Sequence, residues 1–534
     1  MSMTAMDALM RQARIRPKST ALVFHQESWT YERLLAEAEA LARGLAAEGV
    51  RPGDRVVLHM VNRPEMVVAY YACFRLGAIA APLRAAFKFA ELATLLQRLA
   101  PALYIGETAL YPNVAAVETS ILAADKRFVV GKTVEQSGRP WELLFDEAVG
   151  GALPEAPALH EPAVLLNTSG TTGQPKFVIH TAATLSETVD RILRHAGLCE
   201  DDVVVGALPM VHVGGLSTTL SFVAGGIPII LLEGFDADAV LDNIEHYRCT
   251  WCLGFPAQYA ALLDRQRARP RNLASLRICL TAGDVCPVVL QDRCPVEIGA
   301  PLYNLWGATE VVGALTFGLQ RGPVARIAEG ARVRLVDERG VEVPRGEVGE
   351  LLVRGPNVFT GYWNDPQATA ELLKGGWYHT GDLMRRGEGH DLWFVGRKKD
   401  IIIRGGTNIA PAEVERVLTA HVAVQEAVVV GIPDEVLGQR VFGFVKLASG
   451  AEPAAVSDIL AATAAQLADF KVPEGLGIVD DFPRNALSKV DRNALVTMAI
   501  DADRSLRGGA PLQPAQLPGQ AARDVRLRSG ASVN

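Results

Sequence analysis

A glycine-rich polar segment, LLNTSGTTGQPK at residues 165–176, carries a dense set of hydrogen-bond donors. Glycine lets the backbone N–H groups of a loop converge on a guest, while hydroxyl groups add donors and a lysine adds positive charge. This combination suits a polyphosphate. The residues that we predict to bind it are Thr168, Ser169, Gly170, Thr171, Thr172, Gly173 and Lys176. A surface turn is the alternative, because Ser, Thr and Gly also cluster in linkers.

Two short apolar runs flank this segment, at residues 163–166 and 177–179. Both are typical of buried strands, so the polar segment is predicted to join one strand to the next. It is not a Walker A loop, because the four-residue spacer and the GK[ST] ending are missing and a strand follows where a helix should begin. A phosphate bound here would therefore be held in a geometry different from that of a P-loop NTPase.

The composition is that of a soluble multidomain enzyme, with 534 residues, 49% hydrophobic and 21% charged. The formal net charge is −7 and there are no long basic runs, which argues against nucleic acid as a partner. The N-terminus shows no secretory signal. The apolar stretch at residues 66–83 is interrupted by Arg75 and Gly77, so it predicts a buried helix followed by a buried strand and no transmembrane segment.

The seven cysteines include the pair Cys249 and Cys252 in the run CTWCLGF. A C-x-x-C pair can bind a metal or act in redox chemistry. This one lies in an apolar, strand-like run with no histidine nearby, so buried thiols are the favoured interpretation. Free thiols fit a reducing compartment, and we expect a cytoplasmic protein.

Helix-like and strand-like patterns alternate up to about residue 400. Thr30 can cap a helix whose apolar residues Leu34, Ala38, Leu41 and Leu45 share one face. The predicted fold is α/β, with a large N-terminal domain of buried sheets flanked by helices (1–399) and a small, mobile α+β C-terminal domain (400–500). Residues 501–534 are rich in Gly, Pro, Ala and Gln without periodicity, which predicts a flexible tail.

Five later stretches follow the opening segment in order: YNLWGATE (303–310), GYWNDP (361–366), WYHTGDL (377–383), GRKKDIIIRGGTNIAPAEVE (396–415) and PRNALSKVDR (483–492). Together the six motifs resemble those of the adenylate-forming superfamily, which includes acyl-CoA synthetases, adenylation domains and luciferases. The resemblance covers about residues 16 to 500. One such motif would be a weak signal, and six in the same order and spacing are a strong one.

The resemblance implies a two-step ligase reaction that uses ATP, Mg²⁺ and coenzyme A. A carboxylate attacks the α-phosphate of ATP to give an acyl-adenylate and pyrophosphate, and a thiol then attacks the activated carbonyl and releases AMP. Two alternatives stay open: a carrier-protein pantetheine as the thiol, and a catalytically silent homologue that only binds nucleotide. The expected partners are a small carboxylic acid, ATP and CoA, with no nucleic acid, and a homodimer is one assembly open to the chain.

The resemblance also implies roles for individual residues. Glu310 matches the magnesium ligand, Lys176 and Lys489 match lysines of the adenylation site, and His212 matches a histidine at the carboxylate entrance. The nucleotide-binding set comprises the loop residues above together with Gly283, Asp284, Asn304, Trp306, Gly307, Thr309, Asp382, Arg397, Gly405 and Gly406. Asp382 corresponds to the ribose carboxylate, and Asp400 to the hinge of the small domain. Simpler interpretations are a turn-forming Asp382, a surface Arg397 and a core histidine at position 212.

The chain departs from the family pattern at Ser488, where a glycine usually precedes the lysine, and at Trp306, where many members have Tyr. Either aromatic ring offers a face on which adenine can stack. The acid pocket is expected along residues 210–216, 254–259, 281–285 and 311–315. The first and last of these segments contain no Lys or Arg to pair with a second carboxylate, and the first has no acidic residue for an α-ammonium. An apolar monocarboxylic acid (fatty, alicyclic or aryl) is therefore predicted.

Overall fold

The computed structural model describes residues 3–132, 138–145, 153–155, 157–168, 176–283, 286–317, 324–327, 332–389, 391–404, 407–434, 437–448, 450–451, 456–485, 489–506 and 526–528. The chain divides into two compact units. The first contains residues 1–333 and 352–380, and the second contains residues 334–351 and 381–534. Among the described residues, no helix is both long and apolar enough to cross a bilayer.

The helices are α1 (Ala5–Ile15), α2 (Tyr31–Ala47), α3 (Pro64–Leu76), α4 (Phe89–Leu99), α5 (Pro112–Ala115), α6 (Ala182–His195), α7 (Val213–Gly225), α8 (Ala237–Tyr247), α9 (Pro256–Ala268), α10 (Val288–Glu297), α11 (Pro366–Leu372), α12 (Pro411–Thr419), α13 (Val456–Ala464) and α14 (Arg492–Leu506).

The strands are β1 (Thr20–Phe24), β2 (Glu27–Thr30), β3 (Arg55–His59), β4 (Ile79–Leu83), β5 (Leu103–Glu107), β6 (Arg127–Val130), β7 (Arg139–Pro140), β8 (Pro162–Thr168), β9 (Lys176–Thr181), β10 (Val204–Gly206), β11 (Ile229–Leu231), β12 (Trp251–Gly254), β13 (Ile278–Thr281), β14 (Leu302–Ala308), β15 (Val311–Phe317), β16 (Val324–Arg326), β17 (Arg332–Val336), β18 (Val348–Arg354), β19 (Gly361–Tyr362), β20 (Leu373–Lys374), β21 (Trp377–Arg386), β22 (Asp391–Arg397), β23 (Ile402–Arg404), β24 (Thr407–Ile409), β25 (Val424–Asp434), β26 (Gly438–Leu447), β27 (Gly475–Ile478) and β28 (Arg526–Arg528).

The first unit contains two large sheets. The first sheet has the order β15-β14-β13-β12-β10-β11-β1-β2, and its central strands β11, β10, β12, β13 and β14 run parallel. The second sheet has the order β19-β9-β8-β4-β3-β5-β6-β7, with β4, β3, β5 and β6 parallel. Their central strands are almost entirely buried, as expected for parallel sheets covered by helices. The predicted α/β fold is confirmed.

Local sequence signals explain several elements of this unit. The hydroxyl of Thr30 accepts a hydrogen bond from the Arg33 N–H at the start of α2, and the predicted apolar face of that helix is buried. The apolar stretch at 66–83 forms α3 and β4, separated by Gly77 in the left-handed conformation (φ 77°). The helix and the strand are both buried, which confirms the prediction made for this stretch.

Cys249 and Cys252 are free thiols buried at the start of β12 and within it, as predicted. Burial raises the pKa of the Cys252 thiol to about 11, so this thiol stays protonated and unreactive at neutral pH.

The second unit is built on the order β24-β23-β26-β27-β28, with β25 paired to β26 over its whole length. Helix α12 contributes Val414 and Leu418 to one face of this sheet, and α14 contributes Leu495 and Ala499 to a separate apolar cluster. The helix and strand predicted at 410–421 and 426–432 correspond to α12 and β25. Helix α14 continues to Leu506, beyond the predicted start of the tail, and residues 507–525 and 529–534 lie outside the described residues.

Candidate active site

The segments predicted to line the acid pocket follow the carboxyl ends of parallel strands of the first sheet. The last of them, 311–315, is part of β15, and residues 284–285 lie outside the described residues. Strands β10, β12, β13 and β14 end at Gly206, Gly254, Thr281 and Ala308, and a predicted pocket segment begins at or just after each end. The carboxyl ends of neighbouring parallel strands lie at one edge, which is where open α/β sheets bind ligands. The fold therefore brings these segments together at one edge of the first sheet.

The glycine-rich segment joins β8 to β9 in the second sheet. These strands are antiparallel, and Thr168 is paired directly with Lys176, so both ends of the loop are fixed by the ladder. The predicted strand-to-strand connection is confirmed. Residues Ser169, Gly170, Thr171, Thr172 and Gly173 lie outside the described residues.

Lys176 and Glu310 are brought together by Tyr362. The Nζ atom of Lys176 lies 5.1 Å from the centroid of the Tyr362 ring, within range of a cation–π contact. The Tyr362 hydroxyl donates a 2.7 Å hydrogen bond to Oε1 of Glu310. Burial and the neighbouring Glu310 carboxylate raise the pKa of Tyr362 well above its ordinary value, so the phenol keeps its proton and acts as a donor.

Glu310 is fixed by its backbone as well as by its side chain. It lies in the turn between β14 and β15, and its carbonyl accepts a 2.8 Å hydrogen bond from the Phe359 N–H. Tyr362 follows on β19, which pairs with β9 through Tyr362 and Val178. The second sheet therefore holds the tyrosine that orients Glu310. GYWNDP was one of the sequence motifs, but no role for Tyr362 was predicted.

The donor set around Glu310 fits Mg²⁺. Tyr362 engages Oε1, which leaves Oε2 to bind a metal, and Mg²⁺ is usually held by one or two carboxylates together with waters and substrate phosphates. Among the residues that the structure describes, no group of three or more His, Cys, Asp or Glu side chains is arranged to hold a metal ion. A bound magnesium ion would therefore depend on phosphate oxygens as well as on Glu310.

His180 is a further residue of this region, which the sequence analysis missed. Its ring is fully buried on β9, and Nε2 donates a 2.7 Å hydrogen bond to the carbonyl of Thr309, 129 residues away in the chain. Burial lowers the pKa of His180 to about 4, so the imidazole is neutral at physiological pH. The histidine therefore positions the backbone of Thr309, a residue of the predicted nucleotide-binding set, without adding charge.

The predicted adenine region contains polar atoms without protein partners. Asn304 pairs with Thr281 across β14 and β13, and neither Oδ1 of Asn304 nor Oγ1 of Thr281 has a hydrogen-bond partner, although both atoms are shielded from solvent. Buried polar atoms are almost always satisfied, so the orphan acceptor of Asn304 fits an incoming donor such as an exocyclic amine. Trp306 is buried on the same strand, and Gly307 is exposed.

Gly283 follows the end of β13 with φ 86°, a conformation that favours glycine. A Cβ at this position would lie 2.9 Å from the Phe255 ring, so a larger residue cannot enter without displacing it. Glycine is thus required here both by the backbone angle and by the close approach of the ring. Asp284 lies outside the described residues.

His212 is the N-cap residue of α7, and its carbonyl accepts the Leu216 N–H. Between α7 and the first sheet lies a narrow cavity of about 10 Å³, room for about one water molecule. Its wall includes Gly206, Leu231 and Leu253 from the strands and Gly215 and Phe222 from the helix. Apart from two threonines the lining is apolar, and Trp251 lies on it with its ring edge-to-face against Phe222 at 5.1 Å.

The second unit holds the predicted ribose contacts. Asp382 and Arg397 are opposite each other in the ladder of β21 and β22, and Nε of Arg397 lies 3.2 Å from Oδ1 of Asp382. Asp382 is buried and Arg397 is half-exposed. Glu350 supports this region, since its carboxylate accepts a 3.3 Å hydrogen bond from the Gly381 N–H and lies 3.2 Å from the Lys398 ammonium. The sequence analysis gave no role to Glu350.

The predicted hinge and catalytic lysine are also in the second unit. Asp400 ends a short 3-10 turn, and its Oδ2 lies 4.0 Å from Nε of Arg492. The Nη2 atom of the same arginine donates a 2.7 Å hydrogen bond to Glu415. Lys489 lies in the segment before α14, where its carbonyl accepts from the Asn485 N–H and its N–H donates to the Asn485 side chain. Gly405, Gly406 and Ser488 lie outside the described residues.

Comparison with known proteins finds family models and relatives that match nearly the whole chain. Residues 9–363 match the family model of AMP-binding enzymes, and residues 413–489 match the model of the AMP-binding enzyme C-terminal domain. The chain is 35% identical to an indoleacetate–CoA ligase of Aromatoleum aromaticum over 90% of this chain and 96% of that protein. It is 31% identical to a medium-chain fatty-acid–CoA ligase of Escherichia coli over 91% of this chain and 88% of that protein.

A solved structure of a CoA ligase has the same fold. The crystal structure of an anthranilate CoA ligase in complex with anthranoyl-AMP superposes with a TM-score of 0.86 at 25% identity, covering 93% of this chain and 97% of that one. The strand-end loops, the Lys176–Tyr362–Glu310 cluster and the Asp382–Arg397 pair thus lie in a chain whose relatives activate carboxylic acids. We conclude that the chain belongs to the AMP-binding enzyme family and is an ATP-dependent, AMP-forming acyl-CoA ligase.

Proposed function

We propose that this ligase activates a compact apolar monocarboxylic acid, with an aromatic acid as the best substrate. The observation that carries the proposal is the absence of Lys and Arg from the predicted pocket segments 210–216 and 311–315. Such segments give a second carboxylate or another charged group on the acid no charged partner. Indoleacetate–CoA ligase and anthranilate CoA ligase, named above, are relatives that act on aromatic acids.

In the adenylation step, the main obstacle is the approach of a carboxylate to a triphosphate of like charge. Lys176 and the donors of the glycine-rich loop would reduce that repulsion at the β- and γ-phosphates. Glu310 would hold Mg²⁺, which supplies positive charge at the leaving pyrophosphate. Tyr362 fixes the Glu310 carboxylate from one side and faces the Lys176 ammonium with its ring, so one residue positions both charged groups.

Nucleoside contacts are proposed for residues of each unit taken separately. Asn304 offers an unsatisfied acceptor to the adenine edge, and Trp306 is the predicted stacking partner. Asp382 is suited to accept hydrogen bonds from ribose hydroxyls, because a carboxylate offers two acceptor oxygens and this one lies 3.2 Å from Nε of Arg397. Lys489 would bridge the acid carboxylate and the α-phosphate during adenylation, with Asp400 as the hinge about which its domain turns before the thiol attacks.

The acid class can be tested by measuring pyrophosphate release with a panel of acids. The panel contains benzoic, arylacetic and cinnamic acids, alicyclic acids, and saturated fatty acids of medium and long chain length. We expect the highest kcat/KM for an aromatic acid and at least about a tenfold lower value for a long-chain fatty acid, since one misfit methylene in an apolar pocket is worth about tenfold or more. A preference for long-chain acids would contradict the proposed substrate class.

Glu310→Gln is expected to raise the Mg²⁺ concentration needed for half-maximal adenylation by about tenfold. The amide keeps the size and the hydrogen bond from Tyr362 but removes the charge that a hard cation prefers. The measurement is pyrophosphate release against Mg²⁺ at saturating ATP and acid.

Tyr362→Phe serves as the matched control for Glu310→Gln, because it removes the hydrogen bond and keeps the carboxylate. Its shift in the Mg²⁺ requirement should be smaller than that of Glu310→Gln. If Glu310→Gln leaves the Mg²⁺ dependence unchanged, Glu310 does not hold the metal.

We also propose that the enzyme is cytoplasmic. Six of the seven cysteines are buried free thiols, and the seventh, Cys199, is exposed and also unpaired. A chain with this many unpaired thiols is suited to a reducing compartment.

A further inference from the structure

Asn62 lies in the turn between β3 and α3, beyond the carboxyl end of a strand of the second sheet, and it is only 2% exposed. Its side chain makes two hydrogen bonds to the loop that joins β10 of the first sheet to α7. Nδ2 donates to the Leu208 carbonyl at 2.8 Å, and Oδ1 accepts from the Met210 N–H at 2.7 Å. One buried amide therefore connects the two sheets of the first unit at this loop.

The two bonds of Asn62 have the pattern of a parallel strand pair. In a parallel ladder, one residue donates to the residue before its partner and accepts from the residue after it. The side-chain amide does the same with the residues on each side of Pro209, which has no N–H of its own to offer. Because a paired donor and acceptor fix direction as well as position, the amide holds the backbone of 208–210 in one register.

Tyr70 on α3 holds the same loop at a second point. Its hydroxyl donates a 2.8 Å hydrogen bond to the Met210 carbonyl, and the residue is 2% exposed. Burial raises the pKa of Tyr70 well above its ordinary value, so the phenol keeps its proton and stays a donor. Met210 is therefore held at its N–H by Asn62 and at its carbonyl by Tyr70.

The loop held in this way leads into the predicted acid-pocket segment 210–216. The Pro209 carbonyl accepts a 3.0 Å hydrogen bond from the N–H of His212, the N-cap residue of α7. The first turn of α7 packs directly on the loop, because a Cβ at Gly215 would overlap the Pro209 carbonyl. With no side chain between them to absorb a displacement, a shift of the loop moves His212 and the start of α7 with it.

We propose that Asn62, assisted by Tyr70, is a positioning residue for the acid substrate: it sets the place of His212 and of the first turn of α7. The turn and helix that carry Asn62 and Tyr70 contain none of the predicted site residues. This inference rests on the proposed function, in that it takes 210–216 as part of the acid pocket. A purely structural amide would stabilise the fold without favouring one substrate, whereas a positioning residue changes the KM for the acid more than the KM for ATP.

The first test replaces Asn62 by Asp, which keeps the size of the side chain. The ionised carboxylate can still accept from the Met210 N–H, but it cannot donate to the Leu208 carbonyl. At a pH of about 8, we expect the KM for the acid to rise about tenfold and the KM for ATP to stay within about twofold of wild type. The acid used is the panel member with the highest kcat/KM for wild type.

The pH profile of Asn62→Asp separates positioning from a loss of stability. Burial beside a carbonyl oxygen raises the pKa of the introduced carboxyl above its ordinary value of about 4. Arg63 does not offset this effect, because it is already paired with Glu65 and lies 3.9 Å from Glu107. As the pH falls through the raised pKa, the carboxyl gains a proton and can donate to the Leu208 carbonyl again. The ratio of the variant's KM for the acid to that of wild type should therefore fall between about pH 8 and pH 5.5.

Two further variants complete the test. Tyr70→Phe removes only the hydroxyl that bonds the Met210 carbonyl, and it should raise the KM for the acid by about threefold. Gln12→Met is the matched control, because it removes a buried amide that donates a 2.6 Å hydrogen bond to Ala224 at the other end of α7. It should lower the melting temperature and leave the KM for the acid unchanged.

Each outcome decides the inference. A higher KM for the acid in Asn62→Asp and Tyr70→Phe, with recovery of the former at low pH, supports it. If both variants leave the KM for the acid unchanged, or raise the KM for ATP equally, Asn62 is structural and the inference fails. If Asn62→Asp does not fold, Tyr70→Phe decides alone. A panel that favours long-chain acids would contradict the proposed substrate class but not this inference, because the variants are compared on whichever acid is best.

Discussion

Lys489→Ala is expected to lower the rate of acyl-adenylate formation by about 10²- to 10³-fold, the scale of removing one charge-stabilising donor. The same variant should still convert supplied acyl-adenylate and CoA to thioester at a rate close to wild type. The physical reason is that an ammonium group can lower the repulsion between carboxylate and α-phosphate only while its domain is closed over them. The two half-reactions are measured separately, by pyrophosphate release and by thioester formation.

Two further variants make this prediction decisive. Lys446→Ala removes a lysine from the same unit, where it forms only a 3.4 Å surface pair with Asp481, and it should leave both half-reactions nearly unchanged. Asp400→Pro should show the opposite profile to Lys489→Ala, because proline fixes φ near −65° and obstructs a hinge that must change its backbone angles. If Lys489→Ala and Asp400→Pro affect both half-reactions equally, one fixed arrangement serves both steps and the two-state mechanism is wrong.

Lys176→Ala is expected to reduce adenylation by about 10²-fold and to leave thioester formation from supplied acyl-adenylate nearly intact. Lys176 is paired with Thr168 at the base of the glycine-rich loop and carries its charge above the ring of Tyr362. Pyrophosphate has left before the second half-reaction, so a residue that binds the β- and γ-phosphates has no part in it. Pyrophosphate release and thioester formation are compared at saturating substrates.

The controls for Lys176→Ala separate charge from folding. Lys176→Arg keeps a cation but changes its shape and should retain more adenylation than Lys176→Ala. Lys18→Ala removes an exposed lysine from the same unit and should be silent, because its pair with Glu32 lies in solvent. Equal loss of both half-reactions in Lys176→Ala, with a lower melting temperature, would mean that the lysine supports the fold.

Local patterns in the sequence were sufficient for the elements that position the site. The apolar runs on each side of the glycine-rich segment predicted β8 and β9, and the spacing of Leu34, Ala38 and Leu41 predicted the buried face of α2. Both predictions are correct because the side-chain periodicity within one element follows from the burial of one of its faces. The buried state of Cys252 was predicted on the same grounds.

The motifs also determined the family and its chemistry, since six short segments in a fixed order carry the nucleotide-binding and hinge residues of the resemblance. The family is confirmed by the match of residues 9–363 and 413–489 to the two AMP-binding models. The roles given to individual residues, among them Lys489, Glu310 and Asp400, stay predictions that the experiments above address.

Contacts between distant segments were decided only by the tertiary structure. Tyr362 and Glu310 are 52 residues apart, and His180 and Thr309 are 129 residues apart, so no local period relates them. They meet because strand pairing sets which residues face each other: β19 joins β9 at Tyr362, which places the tyrosine hydroxyl at Glu310. The sequence by itself thus determined the family, its chemistry and the local elements. The strand register, which depends on the packing of whole sheets, decided that Tyr362 orients Glu310.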